Sequence, residues 1–194
     1  MTNLIEDYIN SNITCLELIK SEYKEKIDEI FKLLLDAQEN DKRIYLFGNG
    51  GSSSTASHFS SDLSKTTLTQ NNKKIKVFCL SDNVPVILAW SNDLSFDDIF
   101  VKQLENHLEE NDVVIGISGS GNSTNVLKAF EYAKEKNAKT ISLTGKDGGQ
   151  LAKNSDVSLI VPSQDMLTIE TVHLFICHTL TSLFRSQGTP LFPY

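Results

Sequence analysis

The chain has 194 residues, 40% hydrophobic and 22% charged, enough apolar material for the core of one globular domain. Its 18 Lys and Arg against 25 Asp and Glu give a formal net charge of −7, and no basic run reaches five residues. That balance argues against nucleic acid or an anionic membrane surface as a partner. No apolar stretch approaches the roughly 20 residues that a bilayer span needs. The acidic start Met1–Asp7 lacks the basic region of a secretion signal. Cys15, Cys79 and Cys177 are far apart and odd in number, which suits a reducing compartment, so a cytoplasmic location is expected.

Residues 1–40 read as two amphipathic helices. Leu4, Ile5, Tyr8, Ile9, Ile13, Leu16 and Ile19, then Tyr23, Ile27, Ile30, Phe31, Leu34 and Leu35, recur at steps of three and four. Two leading helices either cover the core or pack on a partner subunit. From residue 43 short β-branched runs appear: Ile44–Phe47, Ile75–Leu80, Val113–Ser118, Thr140–Thr144 and Val157–Val161. Helical patterns separate them over 53–65, 84–90, 97–109, 122–136 and 148–153, and a last helix spans about 165–185. Continuous apolar strands alternating with helices predict an α/β fold, a five-stranded parallel sheet with helices on both faces. The tail, 186–194, carries Gly188, Pro190 and Pro193 and reads as non-helical. No repeat or linker interrupts the chain. One domain over 1–194 is expected: helices at 1–40, an α/β core at 41–185 and the tail.

Two turns carry the sharpest local signal. Gly48-Asn49-Gly50-Gly51-Ser52-Ser53-Ser54 follows the first strand and opens a helix. Glycines let the backbone turn tightly and approach a ligand, and a helix N-terminus presents free N–H groups to an anion such as phosphate. The run matches neither the dinucleotide fingerprint nor the P-loop. Ser118-Gly119-Ser120-Gly121-Asn122-Ser123-Thr124-Asn125 repeats this chemistry after the third strand. Hydroxyls and N–H groups at a strand end form an anion cradle without a cation. Each turn alone is also what an ordinary strand-to-helix connection looks like. Two together favour ligand binding, with Ser52, Ser118, Ser120 and Ser123 as the cradle. Lys65 and Lys146 could add positive charge, although solvated lysines explain both equally well.

Acid–base chemistry has candidates on two helices. His58 and Asp62 are four residues apart and so share one helical face, where they can bind a divalent metal or form a surface ion pair. Glu170, His173 and His178 stand out on the apolar last helix, where a histidine is often a hydrogen-bonded core residue. Glu170 and His178 are eight residues apart, about 12 Å along the axis and about 80° around it, close enough to face one cleft but too far for both to grip one metal from one chain without marked leaning. His58 and Asp62 are therefore expected as the nearest metal neighbours, joined by one or both last-helix groups of the same chain or a second subunit.

The two turns, with Asn92-Asp93 between them and Leu143-Thr144-Gly145-Lys146-Asp147-Gly148-Gly149 after them, resemble the SIS (sugar isomerase) domain family. Over roughly residues 1–185, leading helices included, the chain resembles its phosphoheptose isomerase branch. The resemblance implies interconversion of sedoheptulose 7-phosphate and D-glycero-D-manno-heptose 7-phosphate through a cis-enediol, in a homotetramer with sites between subunits. It implies a divalent metal, zinc by analogy, and no organic cofactor. His58, Asp62, Glu170 and His178 fall on the family's metal-site positions, with Asp62 as base and His178 as acid. Asn49, Gly50, Gly51, Ser52, Asn92, Asp93, Ser118, Gly119, Ser120, Ser123 and Glu170 fall on substrate contacts.

Two positions depart from the family, which has Glu where this chain has Asp62 and Gln where it has Glu170. The shorter Asp62 sets its carboxylate back by about 1 Å, and Glu170 adds negative charge beside a phosphosugar. The pair either preserves chelation and moves specificity, or ends isomerase activity. A non-catalytic phosphosugar-binding or partner-docking SIS protein and an isomerase of another phosphosugar remain open. A transcriptional regulator is disfavoured, because neither a DNA-binding extension nor a basic patch occurs.

Overall fold

The structure, a computed structural model, describes residues 2–70 and 72–193. Met1 and Tyr194, the outer ends of the expected segments 1–40 and 186–194, lie outside the described residues. Helices α1 (Thr2–Glu22) and α2 (Lys24–Glu39) lead into β1 (Arg43–Gly48) and α3 (Gly51–Ser61), which continues as a π-helical turn, Asp62–Thr66. Then follow β2 (Lys76–Cys79), α4 (Val84–Asp93), a 3₁₀ turn (Phe96–Asp98) and α5 (Val101–His107). The second half runs β3 (Val113–Ser118), α6 (Thr124–Glu135), β4 (Lys139–Gly145), α7 (Gly149–Lys153), β5 (Val157–Val161) and α8 (Met166–Arg185).

The five strands form one parallel sheet in the order β2-β1-β3-β4-β5. Alternation along each strand sends side chains to two cores. Ile44, Leu46, Ile115 and Ile117 meet Ile30, Leu34, Phe59, Ile169, Ile176 and Leu180 from α2, α3 and α8 on one face. Tyr45, Phe47 and Val114 meet Phe100, Leu104, Val126 and Phe130 on the other. The order reverses direction between β1 and β3, where Gly48 pairs with Ile117, and a crevice opens at such a switch point.

Several boundaries differ from the sequence expectation. The helix expected at 53–65 starts at Gly51 and changes to the π-turn at Asp62. The one expected at 97–109 divides at buried Ile99 and Phe100 and ends at His107. The α4 helix runs on to Asp93. Contrary to the expectation from apolar runs, α8 is long and apolar enough to cross a membrane, with 20 residues at a mean hydropathy of 1.3. Its apolar face is instead core: Ile169, Val172, Ile176, Cys177 and Leu180 are buried against the sheet. The tail is non-helical as expected and lies along residues 68–70, where Gln70 N–H donates to Thr189 O and Leu191 N–H to Leu68 O, both at 2.9 Å.

Candidate active site

Both turns open at the β1/β3 switch point. Close approach explains Gly48: a Cβ there would meet Ile117 O at 2.7 Å and Ser52 Cβ at 2.8 Å. Gly50 takes a φ of 54° at the start of α3 and offers no side-chain cap, so the first N–H groups of α3 stay open to a ligand. At the start of α6, Ser123 does not cap the helix either. Its Oγ sits 3.1 Å from Ser118 Oγ instead. By contrast, Asn83 and Asp165 cap α4 and α8 with their side chains. Two helix N-termini without side-chain caps, each beside a serine-rich turn, are the kind of feature that can receive an anion.

The two turns are stitched together. Asn49 and Asn125 exchange reciprocal amide hydrogen bonds of 2.9 and 3.0 Å, so the Asn49 side chain, expected at a sugar hydroxyl, links the turns. The segment after β4 supports the serine turn from behind: Leu151 N–H donates to Gly121 O at 2.9 Å and Gln150 N–H to Asn122 Oδ1 at 3.0 Å. Ser120 Oγ accepts from Asn122 N–H at 3.2 Å and keeps its own proton available. Asn92 and Asp93 end α4, where Asn92 donates to Asp93 Oδ1 at 2.9 Å, and they remain exposed. Lys65 lies over the Phe192 ring at 5.6 Å and Lys146 is exposed, which matches the solvated reading of both.

His58, Asp62 and His178 come together within one chain. His58 Nε2 and His178 Nε2 are 2.9 Å apart, and Asp62 Oδ2 lies 3.6 Å from the first and 3.7 Å from the second. The helix α8 runs alongside α3, which puts His178 opposite the i, i+4 pair. Half of each histidine side chain is exposed, against 16% of Asp62. The shorter Asp62 reaches both rings from the first position of the π-turn. Next to His178, burial first and the Asp62 charge second raise the Cys177 thiol, so Cys177 stays protonated and is no nucleophile.

This group has the donor set and size of a metal centre. Its three ligand atoms form a triangle of 2.9, 3.6 and 3.7 Å. Four ligands at about 2.0–2.1 Å around a tetrahedral zinc are separated by about 3.3 Å. Two imidazoles and a carboxylate are also ordinary zinc ligands. Glu170, expected among them, is not brought to this group. Its carboxylate lies on Gly51, where a Cβ would collide with all three carboxyl atoms. There the positive end of α3 lies beside the added negative charge.

His173 takes the core reading. It is fully buried, its Nε2–H donates to Thr144 O at 3.0 Å, and burial pushes its pKa down to about 4. Sequence reasoning missed Asn125 and Thr66. The Thr66 hydroxyl donates to Asp62 Oδ1 at 3.2 Å, and its spacing from Asp62 was the available signal, the same i, i+4 relation that singled out His58 and Asp62.

The SIS domain profile matches residues 7–145. A phosphoheptose isomerase of Helicobacter pylori is 38% identical over 178 residues, 92% of each chain. One of Clostridium acetobutylicum is 37% identical over 190 residues, 96% of each chain. The structure of a phosphoheptose isomerase from Francisella tularensis superposes with a TM-score of 0.90 at 30% identity, covering 95% of this chain and 98% of that one. Its counterpart from Neisseria gonorrhoeae gives 0.89 at 29% identity with the same coverage. On fold, switch-point turns and these likenesses together, the chain belongs to the SIS domain family, in its phosphoheptose isomerase branch.

Proposed function

We propose that this chain, folded as one domain over 1–194, is an aldose–ketose isomerase that interconverts sedoheptulose 7-phosphate and D-glycero-D-manno-heptose 7-phosphate. The observation that carries the reading is the Asp62 carboxylate 3.7 Å from His178 Nε2 and 3.6 Å from His58 Nε2. Isomerisation through a cis-enediol needs a base for the proton beside the carbonyl and an acid that moves protons between the two oxygens. Asp62 is the base and His178 the acid. Ser52, Ser118, Ser120 and Ser123, with the N–H groups of Gly50, Gly51 and Gly119, cradle the phosphate. Asn92, Asp93 and Glu170 face sugar hydroxyls, while Asn49 holds the two turns together through Asn125.

His58, Asp62 and His178 would hold a divalent metal, zinc by their donor set, which when bound polarises the substrate oxygens. No residue pattern calls for an organic cofactor. The half-exposed histidines and the apolar outer face of α1 support a homotetramer with sites closed between subunits. Three free cysteines support a cytoplasmic location. Incubation with sedoheptulose 7-phosphate, with and without added Zn²⁺, should produce the aldose by NMR. Absence of turnover with that sugar and with five- and six-carbon phosphosugars would overturn the enzyme reading in favour of a non-catalytic phosphosugar binder.

A further inference from the structure

The Asp62 carboxylate has two oxygens with different surroundings. Oδ2 faces the two imidazoles at 3.6 and 3.7 Å. Oδ1 accepts a hydrogen bond of 3.2 Å from the Thr66 hydroxyl, the one hydrogen bond the carboxylate receives among the described residues. The terminal torsion of an aspartate is broad and roughly two-fold, so one bond to one oxygen decides where the other points. Thr66 is itself anchored. It ends the π-turn that Asp62 begins, and Arg185 donates from Nη1 to the Thr66 carbonyl at 3.1 Å. Arg185 ends α8, the helix that carries His178. One residue therefore joins the carboxylate on the π-turn to the helix that presents the opposing imidazole.

We propose that Thr66 is a positioning residue: its hydroxyl holds Asp62 Oδ1 so that Oδ2 is presented to the His58/His178 pair, orienting the carboxylate for a divalent cation. The proposal rests on the metal reading above and assigns a role to a residue outside the three-residue group. Hydrogen bonds to ligating carboxylates fix their orientation, and their loss typically weakens metal binding 10–100-fold. Thr66 is half-buried, so removal of its hydroxyl alone leaves the packing of the turn in place.

The test uses the full chain and Zn²⁺ alone, titrated calorimetrically into wild type, Thr66→Val and Thr66→Ser, with melting curves as the check on folding. Valine keeps the β-branched shape and removes the hydroxyl; serine keeps the hydroxyl and removes the methyl. The expected result is Zn²⁺ binding weakened on the order of 10–100-fold in Thr66→Val and restored to near wild type in Thr66→Ser. Wild-type affinity in Thr66→Val overturns the proposal, as does serine binding as weakly as valine, because either outcome assigns Thr66 to packing. A folded wild type that binds no Zn²⁺ overturns the metal reading itself and this proposal with it.

Discussion

The proposed chemistry turns on Asp62, and its neighbours show how a residue one methylene shorter than the Glu implied by the family resemblance still reaches. It stands at the change from α- to π-helix, where the backbone widens, and its Oδ2 meets both histidines without a longer side chain. Glu170, the other departure, sits against Gly51, where only a residue without Cβ leaves room for its carboxylate. The two changes thus act at different places along the α3–α8 seam, and Glu170 does not compensate for Asp62 within one chain. If Asp62 is the base, Asp62→Asn removes proton abstraction while keeping size and the bond from Thr66. His178→Ala removes the acid. Each should abolish turnover and leave the circular dichroism spectrum and the oligomer unchanged. Activity retained in Asp62→Asn would overturn the assignment.

Helix α8 contributes more than the proposed acid His178. Its His173 holds the carbonyl of Thr144, the β4 residue paired with Ser118, so the helix that carries His178 and the strand beside the serine turn are tied at one point. The ring donates this bond from Nε2–H, while Nδ1 is buried with no hydrogen-bond partner among the described residues, so burial favours the neutral imidazole. Burial holds the folded pKa at about 4, against about 6.5 in the unfolded chain. Between these values the unfolded state binds the extra proton, so stability falls as pH drops from 6.5 toward 4, by up to about 1.4 kcal/mol per pH unit. Urea unfolding at several pH values should show a steeper loss in wild type than in His173→Gln, which keeps a donor and does not titrate. Equal slopes would refute it. The sequence made α8 legible through its apolar rhythm, and all five strands through β-branched runs. The π-turn was not legible, because one extra residue in a helical turn leaves no Gly, Pro or change of period at Asp62–Thr66. The His58–Asp62 pairing could be read from spacing alone. His178 lies 120 residues from His58, and only the packing of α8 beside α3 brings it there.

Among the described residues, α1 and α4 each present exposed apolar side chains, and this bears on assembly. Along α1, Leu4, Ile5, Tyr8, Ile9 and Ile13 are exposed, while Cys15 and Ile19 near its far end are buried. A groove of about 590 Å³ between α1, α2 and α8, lined by Ile13, Leu16, Ile27, Phe175 and Leu183, continues that face. On the other side, α4 reads Val-Pro-Val-Ile-Leu-Ala-Trp and has no buried residue, with Val84 and Leu88 more than half exposed. Contiguous apolar patches of this kind mark contact surfaces, and full burial of each large aliphatic side chain is worth about 1.5–3 kcal/mol. Four such residues on α1 give another copy an apolar surface to bury, against the cost of association. On the proposed homotetramer, light scattering should give four times the 21.6 kDa chain mass. Ile5→Lys combined with Ile9→Lys, both on the exposed face, should shift the protein to smaller species and, if sites lie between subunits, reduce turnover with the helical signal retained. A wild-type monomer at micromolar concentration would refute the assembly. Full activity in a dissociated Ile5→Lys/Ile9→Lys variant would place the whole site within one chain.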